Sequence, residues 1–405
     1  MTGFTSSGAN RNCYTCLPSH MLALTANALF TPLDRIEQPV VLIDDGEIVS
    51  ISSRSAAELP SRAEHLDFGD AVLAPGLVDL HVHGGVGYDV MQDDETGRAA
   101  FERLLVQHGV TSYYPTTVTA SLNETLRALE YLARAVEQAA KSAVANRACP
   151  LGVHLEGPFL SHLRRGVHPP EKLVAPDVKT FDRFWQAAQG RIRVMTIAPE
   201  LPGALEVIAE ATGRGVCVSI GHSDATLEQA QAGIAAGARH ATHTFNAMRP
   251  LGHRDPGIAG EVLSNGSISA DIIADGIHVH PIMVRLFLQA KGADRAVLVT
   301  DATAATGMPE GQYMLGSLEV EVRDGRCLHD GKLAGSVLTL DRAVRNAMEF
   351  AGLDLQQSVR LASLNPARAV KTDRGSLQAG GAADLVAFSP SGEVKATIVN
   401  GALAQ

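Results

Sequence analysis

Leu77-Val78-Asp79-Leu80-His81-Val82-His83-Gly84 is an apolar run that ends on two histidines one residue apart. Strand side chains alternate between faces, so the imidazoles of His81 and His83 converge on one point where the run gives out. A single histidine pair is more often ordinary surface or hydrogen-bonded core. Seven further apolar runs decide the reading: 111–119, 151–159, 193–200, 217–224, 240–248, 267–276 and 296–303, after the first at 77–84. Glu156 ends the third, His222 the fifth, His243 the sixth and Asp301 the eighth. Such side chains are costly on apolar strands unless paired or metal-bound, so their recurrence at one end of several strands is a constellation.

Helical stretches at 96–107, 123–140, 225–236 and 281–290 separate the runs, and Gly109, Gly237 and Gly292 stand where a helix C′ glycine belongs. Strands alternating with helices predict an α/β protein with a parallel sheet, and eight units predict a closed (β/α)8 TIM-type barrel whose chemistry sits at the C-terminal strand ends. A doubly wound sheet is the rival, but the first strand lacks a G-x-G-x-x-G turn. Both flanks are short strands and turns: Val40-Val41-Leu42-Ile43, Asp45-Gly46 and Ile48-Val49 at one end, Leu385-Val386-Ala387-Phe388 and Thr397-Ile398-Val399 at the other. Neither fragment buries a core alone, so they are expected to pair into one small discontinuous β-sandwich. The expected division is an extension over 1–20, a sandwich from 21–75 and 376–405, and a barrel over 76–375.

Composition narrows the partners. Aromatics are 4% of 405 residues and the formal net charge is −10, with no Lys/Arg cluster in sequence, which argues against nucleic acid. No apolar run reaches the roughly 18 residues of a membrane helix, and the polar first twenty residues lack a signal peptide's pattern, so a cytoplasmic protein is expected. The five cysteines are few and scattered. Cys13-x-x-Cys16 has no second zinc-spaced pair and no thioredoxin-like surroundings, and is read as incidental.

Imidazoles plus one carboxylate, without thiolate, suit Zn²⁺, with Fe²⁺, Mn²⁺ or Co²⁺ as alternatives, and catalytic zinc lowers the pKa of bound water toward neutrality. Asp301 is then the group able to move a proton, its plainer role being a structural carboxylate or a further ligand.

The H-x-H after strand one, histidines after strands five and six and aspartate after strand eight resemble the amidohydrolase superfamily. His154-Leu155-Glu156-Gly157-Pro158-Phe159, Gly221-His222-Ser223, Thr242-His243-Thr244-Phe245-Asn246-Ala247-Met248, Ile273-Ala274-Asp275-Gly276-Ile277-His278 and Thr300-Asp301-Ala302 are similar to the N-acetylglucosamine-6-phosphate deacetylases. The fourth run, Arg193-Val194-Met195-Thr196-Ile197-Ala198-Pro199-Glu200, has no Lys of the kind that bridges two metals in dihydroorotases. The resemblance implies Glu156, His222 and His243 as the principal metal site, His81 and His83 as room for a second metal, and Asp301 as acid/base. It implies His168 near the acetyl carbonyl, and Asn246, the Ala247 backbone, Arg254 and His278 on the sugar phosphate. It further implies a homodimer in which Arg254 reaches across the interface. Arg164 and Arg165 lie outside the motifs and are read as surface. The expected reaction is deacetylation of an amino-sugar phosphate; the rivals are the galactosamine epimer as substrate, another amidohydrolase activity, or a catalytically silent metal-binding sensor on the same barrel.

Overall fold

All eight apolar runs form strands in the computed structural model, which describes residues 21–404 except 32, 57, 58, 142, 143 and 145. The expected extension over 1–20, with Cys13 and Cys16, lies outside the described residues. The strands are β1 (Leu77–Val82), β2 (Val110–Thr117), β3 (Val153–Glu156), β4 (Ile192–Ile197), β5 (Cys217–Ile220), β6 (His240–Ala241), β7 (Ala270–Ile273) and β8 (Ala296–Val299). β1 to β6 pair in order as a parallel sheet, and β7 pairs parallel with β8. The centre of this α/β protein is therefore a half-barrel of parallel strands. Ala241 and Thr244 donate backbone N–H to Ser269 and Asp271 beside it, Asp301 donates to His81, and His83 donates to Ala302.

The strands are shorter than the apolar runs suggest, and the excess lies at the C-terminal ends. His222, His243 and Asp301 have φ of +48°, +29° and +51°, left-handed conformations that cannot continue a ladder. His222, His243 and Asp301 thus sit on tight turns just beyond the strands, and strained backbone of this kind gathers at functional sites, while His81 and Glu156 lie at the ends of β1 and β3 themselves. Helices from Leu122–Lys141 to Leu340–Ala351 pack side by side in chain order around the strands. Their ends follow local chemistry: Thr226 and Gln229 form a reciprocal capping box at Leu227–Ala236, and Gly292 takes φ +70° after Pro281–Lys291.

Residues of the two flanks are buried in one cluster. Val72–Pro75 pairs antiparallel with Leu385–Phe388 in a six-stranded sheet. This faces a four-stranded sheet that includes Leu22–Thr25, Pro39–Asp44 and Glu47–Ser53, and Leu24, Val41, Ile43, Leu73, Leu385 and Ile398 are buried together. Asp45-Gly46 is the two-residue turn of its hairpin, with both φ positive, the twist that such a turn needs.

One element escaped the sequence reading. Gly311–Leu315, Leu318–Arg323, Arg326–His329 and Lys332–Leu333 form an antiparallel sheet between β8 and the next helix. The signals were present in Leu318-Glu-Val-Glu-Val, which alternates, and in the Asp324-Gly325 turn. No helix among the described residues is long and apolar enough to cross a membrane. Cys149, Cys217 and Cys327 are free thiols.

Candidate metal centre

Glu156 stands at the middle of the strand ends and gives one oxygen to each of two histidine pairs. Its Oε1 is 3.2 Å from His222 Nε2 and 3.3 Å from His243 Nε2, and those nitrogens are 3.0 Å apart. Its Oε2 is 3.4 Å from both His81 Nε2 and His83 Nε2, which are 3.2 Å apart. Ligand atoms about 2.0–2.1 Å from a tetrahedral zinc stand about 3.4 Å from one another, and both triangles have that size. All five residues are buried, and each trio can hold a metal ion. Asp301 Oδ1 lies 3.1 Å from His83 Nε2 and 3.5 Å from His81 Nε2, on the second triangle.

The shell behind these groups selects which nitrogen faces inward. His83 Nδ1–H donates to the Thr116 carbonyl at 2.9 Å and His222 Nδ1–H to the Arg164 carbonyl at 3.0 Å. Each Nε2 is left with a free lone pair directed at Glu156, the arrangement that metal-binding imidazoles require. Glu156 Oε1 has no hydrogen-bond donor among the described residues. A buried acceptor with no donor, facing the lone pair of His222 Nε2 with His243 Nε2 beside it, is stable only with positive charge between them, from a proton or a cation. The residues fit a divalent ion.

The charges agree. Burial opposes charge on His81, but Glu156 and Asp301 outweigh it and raise its pKa to about 10. Burial likewise opposes charge on Asp301 and Glu156, yet the surrounding imidazoles hold both carboxyls well below the usual range. His168 behaves oppositely, lowered to about 3 by burial and by His222. Its Nδ1 accepts from the Thr119 N–H at 3.3 Å and faces the Thr119 hydroxyl at 2.8 Å. The proton is therefore on Nε2, 3.8 Å from Glu156 Oε2, giving a neutral N–H donor aimed into the site.

A cleft of about 150 Å³ opens above, lined by His83, Glu156, His168, His222, His243 and Asp301 together with Asn246, Ala247 and His278. His278 Nδ1–H donates to Asp275 Oδ2 at 2.7 Å, leaving Nε2 as an acceptor. The cleft brings together the site residues expected from sequence except His81, which is fully buried behind it, and Arg254. Arg254 does not line it; it is exposed on the loop before the helix Gly257–Ser264.

The structure corrects one expectation and adds several groups. Arg164 and Arg165 are more than surface: Arg164 supplies the carbonyl behind His222 and pairs with Asp224 at 2.7 Å, and Arg165 donates to the His168 carbonyl at 2.9 Å. Asp79 Oδ2 accepts from the Thr300 hydroxyl at 2.6 Å and its Oδ1 from the His81 N–H at 3.2 Å, joining the end of β1 that carries His81 to the turn of Asp301. Asp271 accepts from the His243 backbone N–H and stands 2.9 Å from His240 Nε2. Leu315, Leu333 and Gly335 bring the inserted sheet to the cleft rim. An acid inside an apolar run was the available signal for Asp79 and Asp271; nothing in the sequence marks a carbonyl.

Residues 72–404 match the model of the amidohydrolase family. The chain is 39% identical over 357 residues to N-acetylglucosamine-6-phosphate deacetylase from Lysinibacillus sphaericus, covering 87% of this chain and 89% of that one. It is 36% identical over 386 residues to N-acetylgalactosamine-6-phosphate deacetylase from Escherichia coli O157:H7, covering 94% and 98%. Among solved structures it is similar to a variant of N-acetyl-D-glucosamine-6-phosphate deacetylase from Mycobacterium smegmatis in complex with N-acetyl-D-glucosamine-6-phosphate, with a TM-score of 0.88, 36% identity and coverage of 95% and 99%. The chain belongs to the amidohydrolase family, in the branch that holds the N-acetylglucosamine-6-phosphate deacetylases.

Proposed function

We propose that this protein hydrolyses the acetamide of N-acetyl-D-glucosamine 6-phosphate, giving D-glucosamine 6-phosphate and acetate in amino-sugar breakdown. One observation carries the reading: two imidazole pairs on one buried carboxylate, with Asp301 and a neutral N–H donor, His168, on the same small cleft. Glu156, His222 and His243 are the principal ligands, and His81 and His83 share Glu156 around a second position. Zn²⁺ suits this donor set best, and a bound divalent ion supplies Lewis acidity, polarising the carbonyl and lowering the pKa of water.

The chain's own groups do the rest. Asp301, kept deprotonated by the imidazoles around it, accepts a proton from the water whose oxygen attacks the acetyl carbon. His168 donates its Nε2–H to the carbonyl oxygen as negative charge develops there. Asp301 then delivers its proton to the amide nitrogen, the C–N bond breaks, and acetate and the free amine leave. Asn246, the Ala247 backbone and His278 position the sugar at the rim.

The cleft of about 150 Å³ is small for a whole sugar phosphate. That supports a homodimer in which Arg254 of each chain grips the phosphate bound by the other, through the paired donors of a guanidinium. Arg254 has no ion pair among the described residues, and Leu251, Ile277 and Ile282 on nearby loops and helix are exposed apolar side chains, as a subunit interface would need. The hydrogen bonds flanking the β7–β8 pair support a closed (β/α)8 barrel over 76–375, and the shared core of the flanks supports a small sandwich of 21–75 and 376–405. A cytoplasmic location fits the free thiols.

Acetate release from N-acetylglucosamine 6-phosphate by the purified chain, with and without added Zn²⁺ and beside the unphosphorylated sugar, tests the proposal. Metal-dependent release confined to the phosphorylated sugar supports it, and no release with any metal overturns it. The Escherichia coli relative favours the galactosamine epimer as the second reading, and kcat/KM on the two epimers separates them.

A further inference from the structure

At the opposite ends of the strands from the cleft lies a basin of about 730 Å³, bordered by the starts of β6, β7 and β8 and by the helix Leu364–Val370. Five cations line it: Arg239 before β6, Lys291 and Arg295 before β8, Arg368 in that helix and Lys371 at its C-cap. The single acid on the lining is Asp294, and it also pairs with Arg360. Arg295 and Lys371 have no acidic partner among the described residues, and the Arg239 guanidinium donates only to the Ile234 and Ala238 carbonyls, at 2.7 Å each. Lys291, 6% exposed, forms the floor and spends its ammonium on the carbonyls of Val262, Asn265 and Ile268 at 2.8–2.9 Å. Burial and then the neighbouring Arg295 pull its pKa down to about 8, against the smaller opposing pull of Glu261. A chain with a net charge of −10 concentrates uncompensated positive charge here, on the end of the strands that carries no proposed catalytic group.

We propose that this basin is a second binding site, for a small molecule bearing a phosphate group. Guanidinium groups meet phosphate oxygens through paired N–H donors, and a dianion answers several cations at once where a carboxylate answers one. A concave ring of charge selects a compact anion. A nucleic acid strand would call for an extended basic track with aromatic stacking surfaces, and no aromatic side chain lines the basin.

Calorimetric titration of the full chain with inorganic phosphate, at ionic strength held constant with chloride, is the test. The expected result is a phosphate site that persists in Arg254→Ala, which removes the residue proposed to hold substrate phosphate. The double variant Arg295→Ala/Lys371→Ala binds at this site at least about ten-fold more weakly, a factor of ten in Kd, with kcat and KM for acetate release unchanged. Both side chains are exposed, and Arg295→Glu alone serves as a second variant should the double one fold poorly. Equal phosphate binding by wild type and the basin variants overturns the proposal, as does no phosphate binding in Arg254→Ala. Heparin binding far tighter than phosphate, and lost in the basin variants, also overturns it by making the site one for polyanions. Because the readout is binding, a failed deacetylase assay leaves it intact.

Discussion

Asp301 occupies a strained turn, φ +51°, with its carboxylate shared between His81 and His83 rather than paired to a Lys or Arg. Asp301→Asn keeps size and most hydrogen bonding but removes the proton carrier. We expect kcat to fall by at least about 10²–10⁴-fold, with the metal on Glu156, His222 and His243 retained by elemental analysis; near-normal turnover would remove Asp301 from its role. His168 acts through one N–H, oriented by Thr119. His168→Phe should lower kcat about 10²-fold with little change in KM, whereas a change confined to KM would make His168 a binding residue. His81, His83 and Glu156 were legible as part of a constellation, since imidazoles and carboxylates recurring at the ends of several apolar strands need partners. The carbonyl of Arg164 was not, because a carbonyl is common to every residue.

Glu102, on the helix Glu95–Gln107, shows how one element holds its place. Its carboxylate accepts from Arg98 Nη1 at 2.9 Å, Arg147 Nε at 2.5 Å and the Tyr113 hydroxyl on β2 at 2.9 Å. Arg98 is 4% exposed, so Glu102→Ala strands a buried cation and should destabilise by about 3–5 kcal/mol in urea unfolding; a loss close to zero would mean that Glu95 alone suffices. The helix Leu340–Ala351 is tied by Asp341, which lies 3.0 Å from His108 Nδ1 and 3.2 Å from Arg345. Burial raises the Asp341 pKa, but His108, Thr339 and Arg345 together bring it below the usual value. A depressed folded-state pKa stabilises fully above the unfolded value of about 3.9 and loses that contribution as pH falls through the folded value. The stability gap between wild type and Asp341→Asn should therefore be widest near neutrality and narrow in acid. A gap independent of pH would show that the carboxylate charge contributes nothing.

At the scale of the whole molecule the open question is how many chains make one site. If Arg254 serves the partner's substrate, Arg254→Ala and Asp301→Asn are each nearly inactive as pure proteins. A mixture allowed to exchange subunits then regains about a quarter of wild-type activity, because half the dimers are hybrids with one complete site. If Arg254 serves its own chain, no hybrid is complete and mixing restores nothing.

The order of the eight strands, the helices between them and the five candidate ligand positions were legible in the sequence itself. Each rests on a local rule: apolar periodicity for the strand, and the cost of an isolated polar side chain at its end. The tertiary structure decided what depends on residues distant along the chain. Asp79 meets Thr300 across 221 positions to join the strand end of His81 to the turn of Asp301, and Asp89 meets Gly316 across 227 to fasten the inserted sheet beside the cleft. The inward direction of Nε2 in His83 and His222 and the clustering of Arg239, Arg295 and Lys371 are of the same kind. Electrostatics and hydrogen bonding act through space over a few ångströms, and no periodicity in the chain encodes which distant groups will arrive within that range.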